Sequence, residues 1–417
     1  MTDPMKWANA LSTLPSLEAA IQDVVDNATQ QLNAPADLAI VFISSAYASE
    51  FPRLMPLLRN YLDVATIVGG SGGGVIGQAS TRDAAQEVEG EAAISLTLAH
   101  LPGVKVEAFH LDSELLPDPD AAPDAWVDLV GVSPADQPQF VLLSEPFAPG
   151  INDLLQGLDF AYPGSVKIGG LASTGSVTGQ CGLFCNYEFY DEGIVGLALS
   201  GNIVIDAIVA QGCRPIGCPY RVVQGERNIV LELEADEMAG VCEVGKTPLE
   251  TLQMLIRDLS EDDQMLAQNS LFIGIAQNEF KEKLGQGDFL IRNLIGVDPK
   301  VGAIAIGDRV RPGQRVQFHL RDAQTSIDDM EGLFTQYQNQ DHQGSSPIGA
   351  LLFACLGRGE GLYGQPNVDS RLFHRYLVDT PLSGFFCNGE VGPVGNTTFL
   401  HGYTSVFGIC RSPDPSR

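Results

Sequence analysis

Residues Leu382 to Gly402 read LSGFFCNGEVGPVGNTTFLHG. An apolar run ends in a glycine-spaced turn that carries one carboxylate, Glu390, and a second strand-like run follows. Outward from this stretch, GALLFACLG (Gly349 to Gly357) reads as an opening strand. SRLFHRYL (Ser370 to Leu377) reads as a helix, and TTFLHGYTSVFGIC (Thr397 to Cys410) as closing strands. Strand, helix, glycine turn and strands in that order describe an α/β unit. Further upstream, AIAIGDRV and QRVQFHLRD flank Pro312-Gly313, a pattern that predicts a hairpin.

The N-terminal half carries the same unit twice, offset by about one hundred residues. LAIVFISS (Leu38 to Ser45) and FVLLSEPF (Phe140 to Phe147) read as buried strands. Each precedes a helix whose apolar residues fall three and four apart on one face: Phe51, Leu54 and Leu58 in one copy, Ile151, Leu154 and Leu158 in the other. Short strands ending in Gly69-Gly70 and Gly169-Gly170 come next. Alternating runs around Leu101-Pro102-Gly103 and around Gly201-Asn202 then predict a closing hairpin in each copy. The reading is an α/β fold of two lobes, each made of duplicated strand-helix-strand-hairpin units, with mixed β-sheets covered by helices. An amphipathic helix from Pro15 to Leu32 belongs to an N-terminal segment, residues 1–36. Thr247, Pro248 and Glu250 mark a helix start between the lobes, near Glu234 to Lys246.

Several of these segments together resemble the FIST family, a sensory module. Leu382 to Gly402 is similar to the signature of its C-terminal half. Gly287 to Asp322 (GDFLIRNLIGVDPKVGAIAIGDRVRPGQRVQFHLRD) and Leu351 to Gly364 (LLFACLGRGEGLYG) support the same likeness. Gln211 to Val222 (QGCRPIGCPYRV) and Ile67 to Gly77 (IVGGSGGGVIG) look like elements of the N-terminal half. The resemblance implies an N-terminal FIST domain over residues 37–235 and a C-terminal one, with its leading helix, over 236–417. It also implies small-ligand sensing in signal transduction, with amino acids as proposed ligands. FIST modules often accompany kinase, cyclase or F-box regions. None is visible in this sequence, so the expected output runs through a separate protein.

Of the 417 residues 44% are hydrophobic, enough for two or three cores, and the formal net charge is −28, from 52 acidic and 24 basic residues. That excess repels polyanions, so neither nucleic acid nor membrane insertion is expected. No apolar run is long enough to span a bilayer and MTDPMKWANA lacks signal-peptide character, which together predict a cytoplasmic location. The eight cysteines are expected as reduced thiols. A zinc site from Cys181/Cys185 and Cys213/Cys218 is disfavoured, because both spacings exceed a CxxC knuckle. Neither metal nor cofactor is expected.

Gly72, Gly74 and Gly77 satisfy GxGxxG, but QASTRDAAQEVEGEAA follows them and is not an apolar periodic helix, so a dinucleotide site is not expected. Glycine also lets backbone amides approach a ligand or a neighbouring strand. The expected ligand-binding set is Gly70, Ser71, Gly72, Gly170, Ser173, Asn388, Gly389 and Glu390, with Arg292 and Arg358 as forks for a carboxylate. Each of these residues can equally shape a turn or hold a loop, as can Arg214 and Arg321. Two alternatives to the sensor stand beside it. One is an enzyme acting on a small amino or carboxylic compound, with Cys355 as nucleophile and His401 as base. The other is a protein-interaction scaffold.

Overall fold

One order of elements recurs three times. The first repeat runs β1 (Lys6–Ser12), α1 (Leu17–Leu32), β2 (Leu38–Ser44), α2 (Phe51–Tyr61), β3 (Thr66–Gly72), β4 (Gly74–Gly77), β5 (Gln86–Glu89) and β6 (Ile94–His100). The second runs β7 (Val104–Leu111), α3 (Pro123–Val130), β8 (Gln139–Ser144), α4 (Ile151–Ala161), β9 (Lys167–Leu171), β10 (Leu183–Cys185), β11 (Glu188–Tyr190) and β12 (Ile194–Gly201). β13 (Val204–Ala210) opens the third. The chain then forms β14 (Cys213–Glu226), β15 (Ile229–Ala235), α5 (Pro248–Asp258), α6 (Glu261–Ala267), β16 (Leu271–Ala276), β17 (Phe289–Asp298), β18 (Ala303–Ile306) and β19 (Arg315–Arg321). The third repeat resumes with α7 (Ala323–Gln338), β20 (Pro347–Cys355), α8 (Gly359–Tyr363), α9 (Val368–Tyr376), β21 (Leu382–Cys387), β22 (Glu390–Val394), β23 (Thr397–His401) and β24 (Ser405–Arg411).

This computed structural model describes residues 4–79, 84–174, 179–236, 238, 242–285, 287–340 and 345–413. The chain divides into two compact units, Met1–Ala210 with Glu331–Arg417, and Gln211–Met330. The strands of all three repeats therefore share one unit, α7 begins in the other, and the region Glu234 to Lys246 falls inside that second unit.

In the first unit each repeat builds the middle of its own sheet and gives its hairpin away. The strand orders are β1-β6-β2-β3-β10-β11, β7-β12-β8-β9-β22-β23 and β13-β24-β20-β21-β4-β5. β2 and β3, β8 and β9, and β20 and β21 are the parallel pairs joined by crossover helices. The hairpins β4-β5, β10-β11 and β22-β23 each cross to another repeat's sheet. The mixed sheets flanked by helices agree with the sequence reading, but the closing hairpins do not. β6 and β7 lie in different sheets, because both edges of β6 are taken by β1 and β2. β12 is likewise held by β7 and β8, so β13 pairs with β24 instead. Strand β1 was not foreseen.

Side-chain alternation divides the packing. Ile40 and Phe42 of β2 face a core shared by all three sheets, with Val141 and Leu143 of β8 and Leu351 and Phe353 of β20. Phe42 stacks on Phe385 with ring centroids 5.0 Å apart. Val41 and Ile43 face the other way, against Ile21 and Val24 of α1 and Leu54 and Leu58 of α2. Trp126, Leu154 and Leu158 cover β8 in the second repeat through Phe140 and Leu142. The predicted helix over Pro15 to Leu32 is α1, with Leu17, Ala20, Ile21, Val24, Val25, Ala28 and Leu32 buried.

The second unit is a closed barrel in the order β14-β15-β18-β17-β16-β19. β18 and β19 are not partners, so Pro312-Gly313 turns the chain without making a hairpin: β18 is flanked by β15 and β17, and β19 by β14 and β16. Thr247 caps α5 by accepting the Glu250 N–H at 3.2 Å. Arg315, buried, donates through Nε to Asp236 at 2.6 Å. Cys218 and Cys242 form a disulfide, which corrects the expectation of eight reduced thiols. Their separation of 24 residues left no local sign of the pairing.

Candidate functional site

Hairpin exchange draws the glycine turns together at the carboxyl ends of the parallel strands. Ser71 donates its N–H to Gly182 O at 2.8 Å, and its Oγ accepts the Gly182 N–H at 2.9 Å. Ser173 donates its N–H to Ser71 O at 3.0 Å, and its hydroxyl accepts the Gly73 N–H at 2.9 Å while donating to Phe386 O. Leu171 donates to Gly389 O at 2.8 Å, and Asn388 donates to Leu171 O at 3.0 Å. Gly170 pairs with Glu390 across β9 and β22. A Cβ at Gly170 would collide with Cys387 Sγ, so this glycine is required by close packing of strands. GxGxxG lies on β3 and β4 and opens no helix, which removes the geometry a pyrophosphate needs.

One cavity of about 290 Å3 opens beside this junction. Ser45, Ala46 and Ala48 line it from the turn after β2, Gly90 from the end of β5, and Thr174, Gly179 and Gln180 from the connection between β9 and β10. The carboxyl end of a parallel strand is where open α/β sheets place ligands. Among the described lining residues no side chain is ionisable; hydroxyls, an amide and small residues make the wall. Ser44, which precedes the lining residues, donates through its Oγ to Glu91 O at 2.6 Å and accepts the Ala46 N–H at 3.2 Å.

The equivalent ends of the three repeats carry different chemistry. Ser44 N–H bonds Ala93 O at 2.9 Å, Glu145 N–H bonds Gly193 O at 3.1 Å, and Cys355 N–H bonds Thr404 O at 3.0 Å. Three residues past the bond stands Tyr47 in the first repeat and Arg358 in the third. The Arg358 side chain is fully buried and bonded within the protein. It donates to Asp369 through Nε at 3.0 Å, to Tyr363 Oη at 2.5 Å and to Tyr403 O at 3.4 Å. Asp369 further accepts from Tyr363 Oη at 2.7 Å and Ser405 Oγ at 2.5 Å. Glu390 is also buried and takes the Thr404 N–H at 3.1 Å. Asp369, Tyr363 and Glu87 were missed from sequence. The one available sign was an acid, Asp369, next to the apolar Val368 at the start of α9.

Arg292 belongs to the barrel, on β17, where its Nε donates to Asp308 at 2.7 Å. It is in a different compact unit from the glycine turns. Arg214 bridges Asp263 and Asp322. Cys355 ends β20 in register with Cys387 of β21, and its Sγ accepts the Gly357 N–H at 3.5 Å. Complete burial pushes the Cys387 thiol well above its ordinary range, with Glu390 adding to the rise. His401 sits on β23 with Nε2 3.0 Å from Gly392 O. His319, in the barrel, is pushed down to about 4 by burial. Cys181 and Cys185 lie in the first unit, Cys213 and Cys218 in the second. Among the described residues no helix is long and apolar enough to cross a membrane.

Comparisons with known proteins follow the same division of the sequence. An uncharacterised protein of Mycobacterium tuberculosis is 32% identical over 407 residues, covering 97% of this chain and 99% of the relative. An uncharacterised protein of Mycobacterium bovis is 30% identical over 406 residues, covering 97% and 98%. An F-box/LRR-repeat protein of Arabidopsis thaliana is 28% identical over 115 residues, 24% of this chain and 22% of that protein. FIST domains are associated with sensing in signal transduction. The FIST N domain profile matches residues 37–236 and the FIST C domain profile residues 248–393, so the chain belongs to the FIST family.

Proposed function

We propose that this protein is a non-catalytic sensor that binds a small metabolite, of the amino acid class, and signals through a separate protein. The cavity of about 290 Å3 at the end of β2 carries the reading. Its volume is at the lower limit of roughly 300–1,000 Å3 for ligand pockets, which suits an amino-acid-sized molecule better than a dinucleotide. The polar lining from Ser45, Thr174 and Gln180 supplies orienting groups. Three chain segments from two repeats meet there, so a ligand that bridges them favours one arrangement of the exchanged hairpins over another.

In this reading Ser71, Gly72 and Ser173 frame the cavity from behind, and Gly70, Gly170, Asn388 and Gly389 hold the strand junction. Arg358 and Glu390 keep the third repeat's loops in place, and Arg292 serves the barrel. A thermal-shift screen against amino acids and central metabolites, followed by calorimetry, tests the proposal. A ligand at a hundred times its Kd stabilises the folded state by about 2.7 kcal/mol. Ala48→Trp, which fills the cavity from its half-exposed wall, is expected to abolish the shift. A shift that survives in this variant moves the ligand elsewhere, and an empty screen removes the metabolite reading.

A further inference from the structure

We propose that the paired carboxyl groups of Glu87 and Asp369 form a proton-operated latch on β5, closing one wall of the metabolite cavity when Glu87 holds a proton and loosening it when the proton leaves. The inference rests on the ligand reading of the cavity given above. Strand β5 comes from the first repeat, yet it edges the third repeat's sheet. Two of its side chains strap it to the helices there. Glu87 Oε1 accepts the Ser370 N–H at 2.7 Å, and Glu87 N–H donates to Asn367 Oδ1 at 2.6 Å. Glu89 Oε1 accepts the Glu360 N–H at 2.9 Å. The strap fits closely, since a Cβ on Gly359, which has φ +61°, would run into the Glu89 carboxylate.

The charges facing Glu87 do not cancel. From α9 comes Asp369, from β5 itself Glu89 and from α8 Tyr363; one step further out, Arg358 acts on Tyr363 and Glu360 on Glu89. Among the described residues Arg358 is the cation of this group, and Asp369 holds it at 3.0 Å with both side chains buried. Among the described residues no cation pairs with Glu87, which is 6% exposed, and its Oε2 is buried with no hydrogen-bond partner. Ionised, that oxygen is a desolvated charge next to a second carboxylate; protonated, it is neutral. Burial and the Asp369 charge accordingly push the Glu87 carboxyl up to about 7, against a pull downward from Ser370.

The latch connects directly to the cavity. One residue past Glu89, Gly90 lines the cavity, and one further on Glu91 O receives the Ser44 hydroxyl, which also holds the N–H of the lining Ala46. Movement of β5 is therefore movement of the cavity wall.

Hydrogen exchange of the whole protein at pH 5.5 and pH 8.0, corrected for intrinsic amide rates, tests the proposal. In the wild type, protection of residues 86–91 is expected to fall on the order of tenfold at the higher pH, with the cavity turn 45–48 following it. Glu87→Gln, which mimics the protonated acid, should keep high protection at both values, while Glu89→Gln retains the pH response. Amides of α1 report whether each variant remains folded. Equal protection at both pH values, or a response that persists in Glu87→Gln, overturns the latch. A response in 86–89 that does not reach 90 and 45–48 overturns its coupling to the cavity. None of these readouts needs a ligand, so they fail or succeed independently of the metabolite screen.

Discussion

Arg358 donates through Nε to Asp369 at 3.0 Å, and neither side chain meets solvent, with exposures of 0% and 2%. Removing one partner of such a pair leaves the other charged and buried, which typically costs about 3–5 kcal/mol. Arg358→Ala is expected to lose stability in that range by urea denaturation. Asp369→Asn should lose a comparable amount, and the double variant less than the sum, because the two charges fail together. Additive losses would show that the pair does not act as a unit.

Glu87 predicts a pH dependence of definite sign. A carboxyl raised in the folded state binds its proton more tightly there than in the unfolded chain. The stability it contributes is complete below the ordinary glutamate value and is lost as pH rises through about 7. Glu87→Gln should therefore be more stable than the wild type at pH 8, with the difference shrinking as pH falls towards 4.5. Denaturation midpoints across this range check it; a constant difference would contradict it.

Asn9 is the polar hub between β1 and the rest of the first unit. Its Nδ2 donates to Ser95 Oγ at 3.0 Å, Leu96 O at 3.2 Å and Thr97 Oγ1 at 3.0 Å, and its Oδ1 accepts the Gln78 N–H at 2.7 Å. Thr97 continues the network to Ser383 at 2.7 Å. Asn9→Ala orphans several buried groups, each worth about 1–3 kcal/mol, and should raise exchange in β1 and β6 before the barrel responds. Uniform exchange across both units would refute a local role.

Cys218 and Cys242 close a loop across 24 residues of the barrel, for which chain entropy gives about 3 kcal/mol. The six other cysteines carry no disulfide. Thiol titration of the denatured protein should find six groups without reductant and eight after reduction, and Cys218→Ser should lower barrel stability. Eight thiols without reductant would mean that the pair is open.

Local pattern was enough for much of the fold. Apolar residues three and four apart announced α1, α2 and α4, short apolar runs announced β2, β8 and β20, and Leu382 to Gly402 was read as strand, glycine turn and strand, though β22 inside that turn was not foreseen. Residues whose partners are distant in sequence were not legible this way. Leu101-Pro102-Gly103 has the composition of a hairpin turn, yet β6 finds both edges occupied by β1 and β2, so its neighbour leaves for another sheet.

The candidate site divides along the same line. Glycine spacing marked Gly72, Gly170 and Gly389, where a Cβ would crowd a neighbour, and such spacing can be read locally. Exchange of hairpins between repeats brought Thr174, Gly90 and Ser45 around one cavity, and placed Glu87 against Asp369 across 282 positions of chain. Arg358 was visible as a charge in an apolar motif, but its burial beside Asp369 was not. Backbone propensity and periodicity are written in neighbouring residues and can be read from them. Desolvation and charge pairing depend on which distant groups share a volume, and that was decided by the tertiary structure.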